Sequence, residues 1–374
     1  MRTPLLALLA VAACGEAPLA SPPQPPPLAP ADTAASAAAS SSSNAGDGGA
    51  AAAPAPPPAQ LSAKPVPLPG ATAAVSLDYI ACDRAGGKVW IPAGDTQSVA
   101  VYDIATAKMT RIEGFPTAER EVHGKKRVLG ASSATLGAGV VYIGNRGNSQ
   151  VCAIDAVKLT RGACITLSSP PDGLQYVASA KELWATTPRD NSITVLDASA
   201  PGALKQKTKV SLEGAPEGFA IDDGRGLFYT NLEDKDKTLA IDVRTHKVAT
   251  TWEAQCGSDG PRGMFIDSSK RFLFVACTDH IEALDAGHDG ALLSKLDTGG
   301  GVDNIDYLDT KGLLYVAAGK AAQLTVVRVD DKGILSVLAS GPTSQGARNA
   351  VADRDGNAYV ADGAQGRILI VPSP

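Results

Sequence analysis

The side chains best suited to bind a ligand are seven acids, amides and arginines, each lying just before a short strand-like segment. They are Asp172, Glu217, Arg262, Asp303, Asn304, Arg348 and Asn349. These groups donate and accept hydrogen bonds and carry both signs of charge, so together they could bind an anionic or polar ligand. The sequence contains no Gly-x-Ser-x-Gly, His-Glu-x-x-His, haem-attachment or phosphate-loop pattern. It therefore assigns no catalytic residue, and we expect a binding site rather than an active site.

A repeat of about 45 residues, running from Pro65 onward, indicates the elements that must position these side chains. Each unit has an aromatic residue in a short strand that alternates between apolar and polar positions. The seven aromatics are Trp90, Tyr142, Trp184, Tyr229, Phe274, Tyr315 and Tyr359. In the first six units the next strand ends in Asp, at Asp103, Asp155, Asp197, Asp242, Asp285 and Asp330. The period is that of a four-stranded blade, so the sequence predicts an all-β, seven-bladed β-propeller.

The innermost strand of each blade is assigned to the segment that precedes the aromatic strand. These segments are 76–81, 131–136, 174–178, 218–221, 263–266, 304–307 and 349–352. The seventh unit has only three strands, so residues 64–69 are predicted to complete the last blade as its outermost strand. The prolines of this segment are tolerated there because an outermost strand is an edge.

The loops that lead into the innermost strands all open at one end of the central channel. The seven polar residues are therefore predicted to meet at this channel mouth. The repeated Asp residues begin tight turns, where their carboxylates can accept hydrogen bonds from the backbone, so we expect them to be structural. The charged segment 119–127 accounts for the longest interval between aromatics and is expected to be a solvated loop.

The motifs Tyr359-Val360-Ala361-Asp362 and Tyr142-Ile143-Gly144-Asn145 resemble the repeats of YVTN-type seven-bladed propellers, and the resemblance covers about residues 65–374. Such propellers include binding scaffolds, lactonases, lyases and cofactor enzymes. In gluconolactonase-like propellers a Glu, an Asp and two Asn residues hold calcium. This resemblance implies a calcium-dependent, lactonase-like hydrolase as the alternative function, with Glu217, Asp303, Asn304 and Asn349 as ligands. Because the nearby arginines would repel a cation, the first expectation is a site without metal or other cofactor.

The cysteines predict two disulfides and an oxidising compartment. Cys152 and Cys164 are nearly equidistant from the turn near Lys158 on consecutive antiparallel strands, so they can face each other. Cys256 precedes an innermost strand and Cys277 ends the next strand, which places both on one face of blade five. Cys82 is predicted to be unpaired. A zinc site is not expected, because the sequence has no Cys-x-x-Cys.

The N-terminal region has the composition of a targeting segment followed by a tether. Residues 1–14 contain Arg2, an apolar run and the sequence Val11-Ala12-Ala13-Cys14, which resembles a bacterial lipobox whose Cys14 is lipidated. An ordinary signal peptide with an incidental Cys is the alternative. Residues 15–63 are rich in Ala, Pro, Ser and Gly and are predicted to be disordered. The expected domains are therefore the signal peptide 1–14, the tether 15–63 and the propeller 64–374.

Charge and targeting together predict the setting of the propeller. The formal net charge is -5, from 34 basic and 39 acidic residues, so nucleic acid is not an expected partner. The expected partners are a membrane, through the Cys14 lipid, and an unidentified protein, glycan or small molecule. We expect a monomeric propeller in the bacterial cell envelope, anchored in the outer membrane with its domain in the periplasm or at the surface. Its expected function is binding through the channel-mouth loops.

Overall fold

The computed structural model describes residues 57–122, 124–200 and 203–374. The predicted signal peptide 1–14, its Cys14 and residues 15–56 of the predicted tether lie outside the described residues. Two short strands come first, β1 (Ala59–Gln60) and β2 (Lys64–Pro67). Within the described ranges, no helix is long and apolar enough to cross a membrane.

Seven antiparallel sheets form the blades of a seven-bladed propeller, as the repeat predicts. Blade one comprises β3 (Ala81–Asp83), β4 (Lys88–Ala93), β5 (Ser98–Asp103) and β6 (Lys108–Glu113), and it is followed by a hairpin of β7 (Ala118–Val122) and β8 (Lys125–Leu129). Blade two comprises β9 (Ala131–Gly137), β10 (Val140–Asn145), β11 (Gln150–Asp155) and β12 (Thr160–Thr166). Blade three comprises β13 (Leu174–Val177), β14 (Glu182–Thr187), β15 (Ser192–Asp197) and β16 (Lys205–Ser211). Blades four and five comprise β17 (Pro216–Asp222), β18 (Leu227–Leu232), β19 (Lys237–Asp242), β20 (Lys247–Glu253), β21 (Met264–Asp267), β22 (Phe272–Ala276), β23 (His280–Asp285) and β24 (Ala291–Asp297). Blades six and seven comprise β25 (Val302–Leu308), β26 (Leu313–Ala318), β27 (Gln323–Val329), β28 (Leu335–Pro342), β29 (Ala350–Ala352), β30 (Ala358–Asp362) and β31 (Arg367–Val371).

The hydrophobic core lies between adjacent blades. The repeated aromatics all lie in the second strand of their blade and are buried there, as predicted. Trp184 of blade three, for example, stacks on Phe228 of blade four with ring centroids 4.6 Å apart. Offset stacking of this kind adds to the free energy gained by burying the two rings. Each blade is therefore held mainly by its neighbours, and the channel at the centre stays open to polar side chains.

The repeated Asp residues stabilise turns, as expected. The Asp103 carboxylate accepts hydrogen bonds from the backbone N–H of Thr106 at 2.9 Å and from its hydroxyl at 2.8 Å, and these bonds lower the pKa of Asp103. Asp242 accepts the corresponding bond from the Thr245 N–H at 2.7 Å. These carboxylates are therefore occupied by backbone and hydroxyl donors of their own turns.

The last blade is closed by the N-terminal strand, which confirms the predicted closure. β2 pairs antiparallel with β31, from Lys64 opposite Ile370 to Pro67 opposite Arg367. β1, within the segment predicted to be tether, pairs in parallel with β28 and becomes a fifth strand of blade six. The N-terminal segment therefore joins blades six and seven along their outer edges.

The innermost strand of blade one begins later than predicted. Residues 76–81 were assigned to it, but β3 begins at Ala81. The preceding backbone pairs instead with blade two: the Tyr79 N–H donates to Ser132 O at 3.0 Å, and Tyr79 O accepts from the Ala134 N–H at 3.0 Å. The neighbouring blade therefore supplies the hydrogen bonds that the sequence pattern assigns to β4, and this brings Asp78 and Tyr79 into the channel.

Both predicted disulfides are confirmed. Cys152 and Cys164 lie directly opposite each other on β11 and β12 and are bonded. Cys256 and Cys277 form the second disulfide in blade five. Cys82 is free among the described cysteines, as predicted. Burial raises the pKa of the Cys82 thiol to about 12, which suppresses the thiolate form needed for nucleophilic chemistry.

Candidate functional site

A cavity of about 790 Å³ opens at the channel mouth. We call it the mouth cavity. Its lining includes Asp78, Arg146, Asp172, Glu217 and Arg348. Its volume is within the range of small-molecule binding sites, about 300–1,000 Å³. The structure therefore provides a concave site at the end of the channel to which the sequence pattern points.

The seven predicted site residues lie around the channel but are divided among three cavities. Asp172, Glu217 and Arg348 line the mouth cavity. Arg262 and Asp303, again with Arg348, line an adjacent cavity of about 430 Å³. Asn304 and Asn349 line a cavity of about 330 Å³ inside the channel. The seven residues therefore lie around the channel, as predicted, but they do not line a single cavity.

Asn349 joins three blades and has little capacity left for a ligand. Its side-chain oxygen accepts a hydrogen bond from the Asn304 N–H at 3.1 Å, and its side-chain amide donates to Asp78 O at 3.0 Å. The side chain is 1% exposed. Since both ends of the amide bridge backbone groups of blades six and one, Asn349 acts as a structural clasp across the channel.

Two arginines neutralise three of the carboxylates. Arg146, in the loop after β10, donates to Asp78 at 2.7 Å and also contacts Asp172. Arg348 lies 3.1 Å from the Asp303 carboxylate. Burial raises the pKa of Asp303 to about 6, although Arg348 opposes the shift. These pairs span five blades, so they stabilise the ring closure and also set the charge of the mouth.

Arg262 is paired at the rim. Its guanidinium lies 2.5 Å from the Glu233 carboxylate and donates to Asp259 O at 3.0 Å. An arginine whose donors are already occupied in this way contributes less to the binding of a further anion. Arg262 therefore shapes the rim between blades four and five.

Glu217 is placed by a distortion of its own strand. The ladder between β17 and β18 shifts register between Glu217 and Phe219, and Gly218 between them has φ +68°. A Cβ on residue 218 would lie 2.2 Å from the carbonyl oxygen of Arg262, so glycine is needed for blade five to approach so closely. Bulges re-aim side chains, and this one directs Glu217 toward the channel axis.

Glu217 differs from Asp78, Asp172 and Asp303 in lacking an arginine partner. Its carboxyl group accepts a hydrogen bond from the Tyr79 hydroxyl at 2.8 Å, and no arginine or lysine of the described residues forms an ion pair with it. Burial, followed by repulsion from Asp303 and Asp78, raises the pKa of Glu217 to about 8. At neutral pH the group is therefore mostly protonated, and a cation placed beside it would favour its ionised form.

The segment 119–127 is a structured wall of the mouth cavity. The sequence predicts a solvated loop. Most of its described side chains are exposed, as expected, but residues 118–129 form the hairpin of β7 and β8 instead of a loop. Arg127, Val128 and Leu129 line the cavity. The Arg120 side chain donates to Gly147 O at 3.2 Å, and a Cβ on residue 147 would lie 2.5 Å from Leu129 O. Close contact at Gly147 therefore holds the hairpin against the mouth.

Three residues at the site are outside the seven predicted residues, namely Asp78, Tyr79 and Arg146, but the sequence does predict the face on which Arg146 lies. Arg146 lies in the Asn145-Arg146-Gly147-Asn148 turn, whose position after an aromatic strand places it on the mouth face. The sequence does not single out Asp78 and Tyr79, because their segment has the pattern of an innermost strand. The pairing of Tyr79 with Ser133 of blade two shows that this segment lies outside that strand.

The calcium-ligand set implied by resemblance is divided among three cavities, and one of its acids is already paired with arginine. Arg348 is beside Asp303, and Asn349 uses its oxygen to accept from Asn304. Asn304 has a buried side-chain nitrogen without a hydrogen-bond partner among the described residues. Of the four groups, Glu217 alone combines a carboxylate with an open side toward the mouth cavity.

Comparisons with known proteins identify the fold. No protein-family profile matches the chain, and no curated protein matches it. The chain is similar to virginiamycin B lyase from Staphylococcus aureus, with 12% identity, a TM-score of 0.64, and coverage of 84% of this chain and 100% of that one. It is also similar to the WD40 repeats of RRP9, with 10% identity, a TM-score of 0.66, and coverage of 84% of this chain and 99% of that one. A third similar structure is Kuenenia stuttgartiensis hydrazine synthase, with 14% identity, a TM-score of 0.66, and coverage of 79% of this chain and 95% of that one. At such identities the likeness shows the propeller fold alone, which is consistent with an interaction module.

Proposed function

We propose that this protein is a binding module that captures a small organic cation, carrying an ammonium group, in the mouth cavity. The observation that carries the proposal is the placement of Glu217, a carboxyl group that lines the cavity without an ion-pair partner among the described residues. A ligand ammonium would supply the missing counter-charge. Catalysis is not part of the proposal.

The charge of the lining favours a cation over an anion. Seven acidic side chains but only four arginines line the mouth cavity. Asp172 also has a buried oxygen without a hydrogen-bond partner in the described part of the chain. Since buried acceptors without partners are costly, a ligand with several N–H or O–H donors would be stabilised there. This revises the sequence-based expectation of an anionic or polar ligand.

Binding of such a ligand is coupled to proton release. With a pKa of about 8, Glu217 is about nine-tenths protonated at pH 7. An ammonium group beside the carboxylate lowers this pKa, so binding releases close to one proton. The affinity therefore rises with pH up to about 8 and then levels off.

The proposal places this module in the bacterial cell envelope. The lipobox-like Val11-Ala12-Ala13-Cys14 supports a lipid anchor, and the Ala/Pro/Ser/Gly composition of residues 15–63 supports a tether. The two disulfides support an oxidising compartment. The Tyr-Val-Ala-Asp type of repeat supports membership of the YVTN group of propellers. A membrane-tethered binding module explains these features together.

The test is a thermal-unfolding screen of the full chain, after EDTA treatment, against organic ammonium compounds and matched neutral or carboxylate compounds. A ligand at 100 times its Kd stabilises the protein by about 2.7 kcal/mol. Glu217→Gln keeps the shape of the side chain but removes its charge. Glu113→Gln, which is exposed on the edge strand β6 and does not line the mouth cavity, is the matched control.

The proposal predicts stabilisation by an ammonium compound that Glu217→Gln removes and Glu113→Gln preserves, with proton release measured by calorimetry in two buffers. No stabilisation by any ammonium compound, or equal stabilisation of Glu217→Gln, would refute it. Stabilisation by millimolar calcium that Glu217→Gln abolishes would instead favour the calcium-dependent hydrolase and justify a screen of lactones.

A further inference from the structure

A second cluster of chemically reactive side chains lies in blade five, separate from the mouth cavity. The sulfur atoms of Cys256 and Cys277 and a ring nitrogen of His280 lie within 4.8 Å of one another. Cys277 is fully buried, His280 is 5% exposed and Glu282, two residues further along the same strand face, is 1% exposed. The cluster therefore combines two sulfurs, an imidazole and a carboxylate at a mostly buried position.

The local fold brings these groups together. The Cys277 N–H donates to His280 O at 2.9 Å and closes the tight turn between β22 and β23. The loop carrying Cys256 is fixed by Asp236, whose carboxylate accepts from the N–H groups of Cys256 at 3.0 Å and Gly257 at 2.9 Å. The turn therefore brings Cys277 and His280 close to a cysteine held by the adjacent loop, with Glu282 beside His280.

Two buried polar atoms in this cluster have no hydrogen-bond partner among the described residues. They are His280 Nε2 and Glu282 Oε2. His280 Nε2 lies 3.5 Å from the other Glu282 oxygen, which is too far for a hydrogen bond. Lys295 is opposite Glu282 in the ladder but makes no ion pair with it in the described part of the structure. Buried polar atoms without a hydrogen-bond partner are costly and require an explanation.

The imidazole of His280 is held through Nδ1 by a carboxylate, as metal-binding histidines often are. His280 Nδ1 lies 2.6 Å from the Asp279 carboxylate, a contact in which Nδ1–H donates and leaves the Nε2 lone pair free. Metal-bound histidines commonly donate their other N–H to a carboxylate in this way, which fixes the ring and its tautomer. Asp279 is therefore a positioning residue for His280.

We propose that reduction of the Cys256–Cys277 disulfide converts this cluster into a zinc site with Cys256, Cys277, His280 and Glu282 as ligands. Tetrahedral zinc binds sulfur at about 2.3 Å and nitrogen or oxygen at about 2.0–2.2 Å. Donor atoms around such an ion are about 3.3–3.8 Å apart. The donor atoms of Cys256, Cys277 and His280 already lie within 4.8 Å of one another, so these three need only small movements once the sulfurs separate. Glu282, which is 3.5 Å from His280 Nε2, joins them by a movement of its side chain. Disulfide formation and zinc binding exclude each other, because both use the same two sulfur atoms.

The chemistry balances with a dithiol as the reductant. The dithiol transfers two electrons and two protons to the disulfide, which gives two cysteine thiols, while its own sulfurs join as a disulfide. Zinc then displaces the two thiol protons and binds the thiolates. Since zinc binds the dithiol form alone, it shifts the disulfide equilibrium toward reduction.

The test uses the full chain, reduced with a dithiol and freed of it by gel filtration without oxygen, with Co²⁺ as the spectroscopic probe. The expected result is one Co²⁺ per chain, with thiolate-to-cobalt charge transfer and tetrahedral visible bands that Zn²⁺ abolishes. The oxidised chain is expected to give neither band. Asp279→Asn should weaken Co²⁺ binding about 10- to 100-fold, as losses around metal ligands do.

Matched variants separate this site from the other cysteines. A chain with Cys14→Ser, Cys82→Ser, Cys152→Ser and Cys164→Ser keeps the Co²⁺ spectrum, whereas His280→Gln and Glu282→Gln, which leave both cysteines in place, weaken it at least tenfold. An unchanged spectrum in both of these variants would overturn the proposal.

Reduction of the disulfides could also unfold the chain, and circular dichroism of the reduced chain tests this. A reduced chain that folds only when Zn²⁺ or Co²⁺ is added supports the site, because metal binding then supplies folding free energy. A reduced chain that is folded but binds no Co²⁺, or that neither metal ion refolds, refutes it.

Discussion

Replacement of Glu217 by Gln is expected to stabilise the protein, by an amount that grows with pH. The folded state holds the Glu217 proton with a pKa of about 8, whereas the ordinary value is 4.5. Between these values the unfolded chain is ionised and the folded chain is protonated, so the stability of the native protein falls as the pH rises through this window. Glutamine does not titrate and escapes this loss, while its oxygen can still accept from the Tyr79 hydroxyl.

The size of the effect follows from the shift. One pKa unit corresponds to about 1.4 kcal/mol, so the full shift corresponds to an upper limit of about 5 kcal/mol above pH 8, and to about 3 kcal/mol at pH 7. Glu217 partly faces the water of the mouth cavity, which screens its repulsion from Asp303 and Asp78. We therefore expect Glu217→Gln to gain about 2 kcal/mol at pH 7, and nothing below about pH 4.5.

The assay is urea-induced unfolding of both proteins at intervals from pH 4.5 to 9, with Glu113→Gln as the control. The control, exposed on an edge strand, should differ from the native protein by less than about 0.5 kcal/mol at every pH. A Glu217→Gln protein that is no more stable than the native one at pH 8 would show that the carboxyl group is not electrostatically strained. A difference that does not vary with pH would point to packing instead.

Three further changes test the architecture. Asn349→Ala removes both hydrogen bonds of the clasp between blades and should lower the free energy of unfolding by about 2–4 kcal/mol, measured with urea; a loss below about 0.5 kcal/mol would show that the clasp is dispensable. The double change Cys152→Ser and Cys164→Ser should cost about 3 kcal/mol by calorimetry, and an unchanged Tm would contradict this. Of the strands that the structure describes, a chain beginning at Lys64 loses β1 alone and should unfold cooperatively. A chain beginning at Leu68 also loses β2 and should not; similar melting curves for the two would refute the role of β2 in closure.

The architecture was largely predictable from the sequence, because it depends on local patterns that repeat. The aromatic of each unit is buried between two blades wherever the unit recurs, so its period reports the blade directly. The two disulfides were predictable for a related reason: Cys152 and Cys164 are close in sequence and face each other across one hairpin. The polar residues before the innermost strands could likewise be placed around the channel, although Asn304 and Asn349 line a cavity inside it and not its mouth.

Local patterns failed where a neighbouring blade supplied the interaction. The segment containing Asp78 and Tyr79 alternates like an innermost strand, yet its backbone bonds to blade two. The charged segment 119–127 is solvated, as expected, but it forms a hairpin instead of a loop, and Gly147 allows that hairpin to approach blade two closely. In both cases the deciding partner lies outside the repeat unit that contains the segment.

What the sequence by itself determined was the period, the closing strand, the disulfides and the end of the channel at which polar groups meet. What only the tertiary structure decided was how those groups are paired. Tyr79 and Glu217 are 138 positions apart, and Asn349 and Asp78 are 271 positions apart. Ring closure sets such contacts, and no local spacing encodes them. For this reason the sequence could list the acids and arginines of the mouth, but only the closed ring could leave Glu217 without a cation.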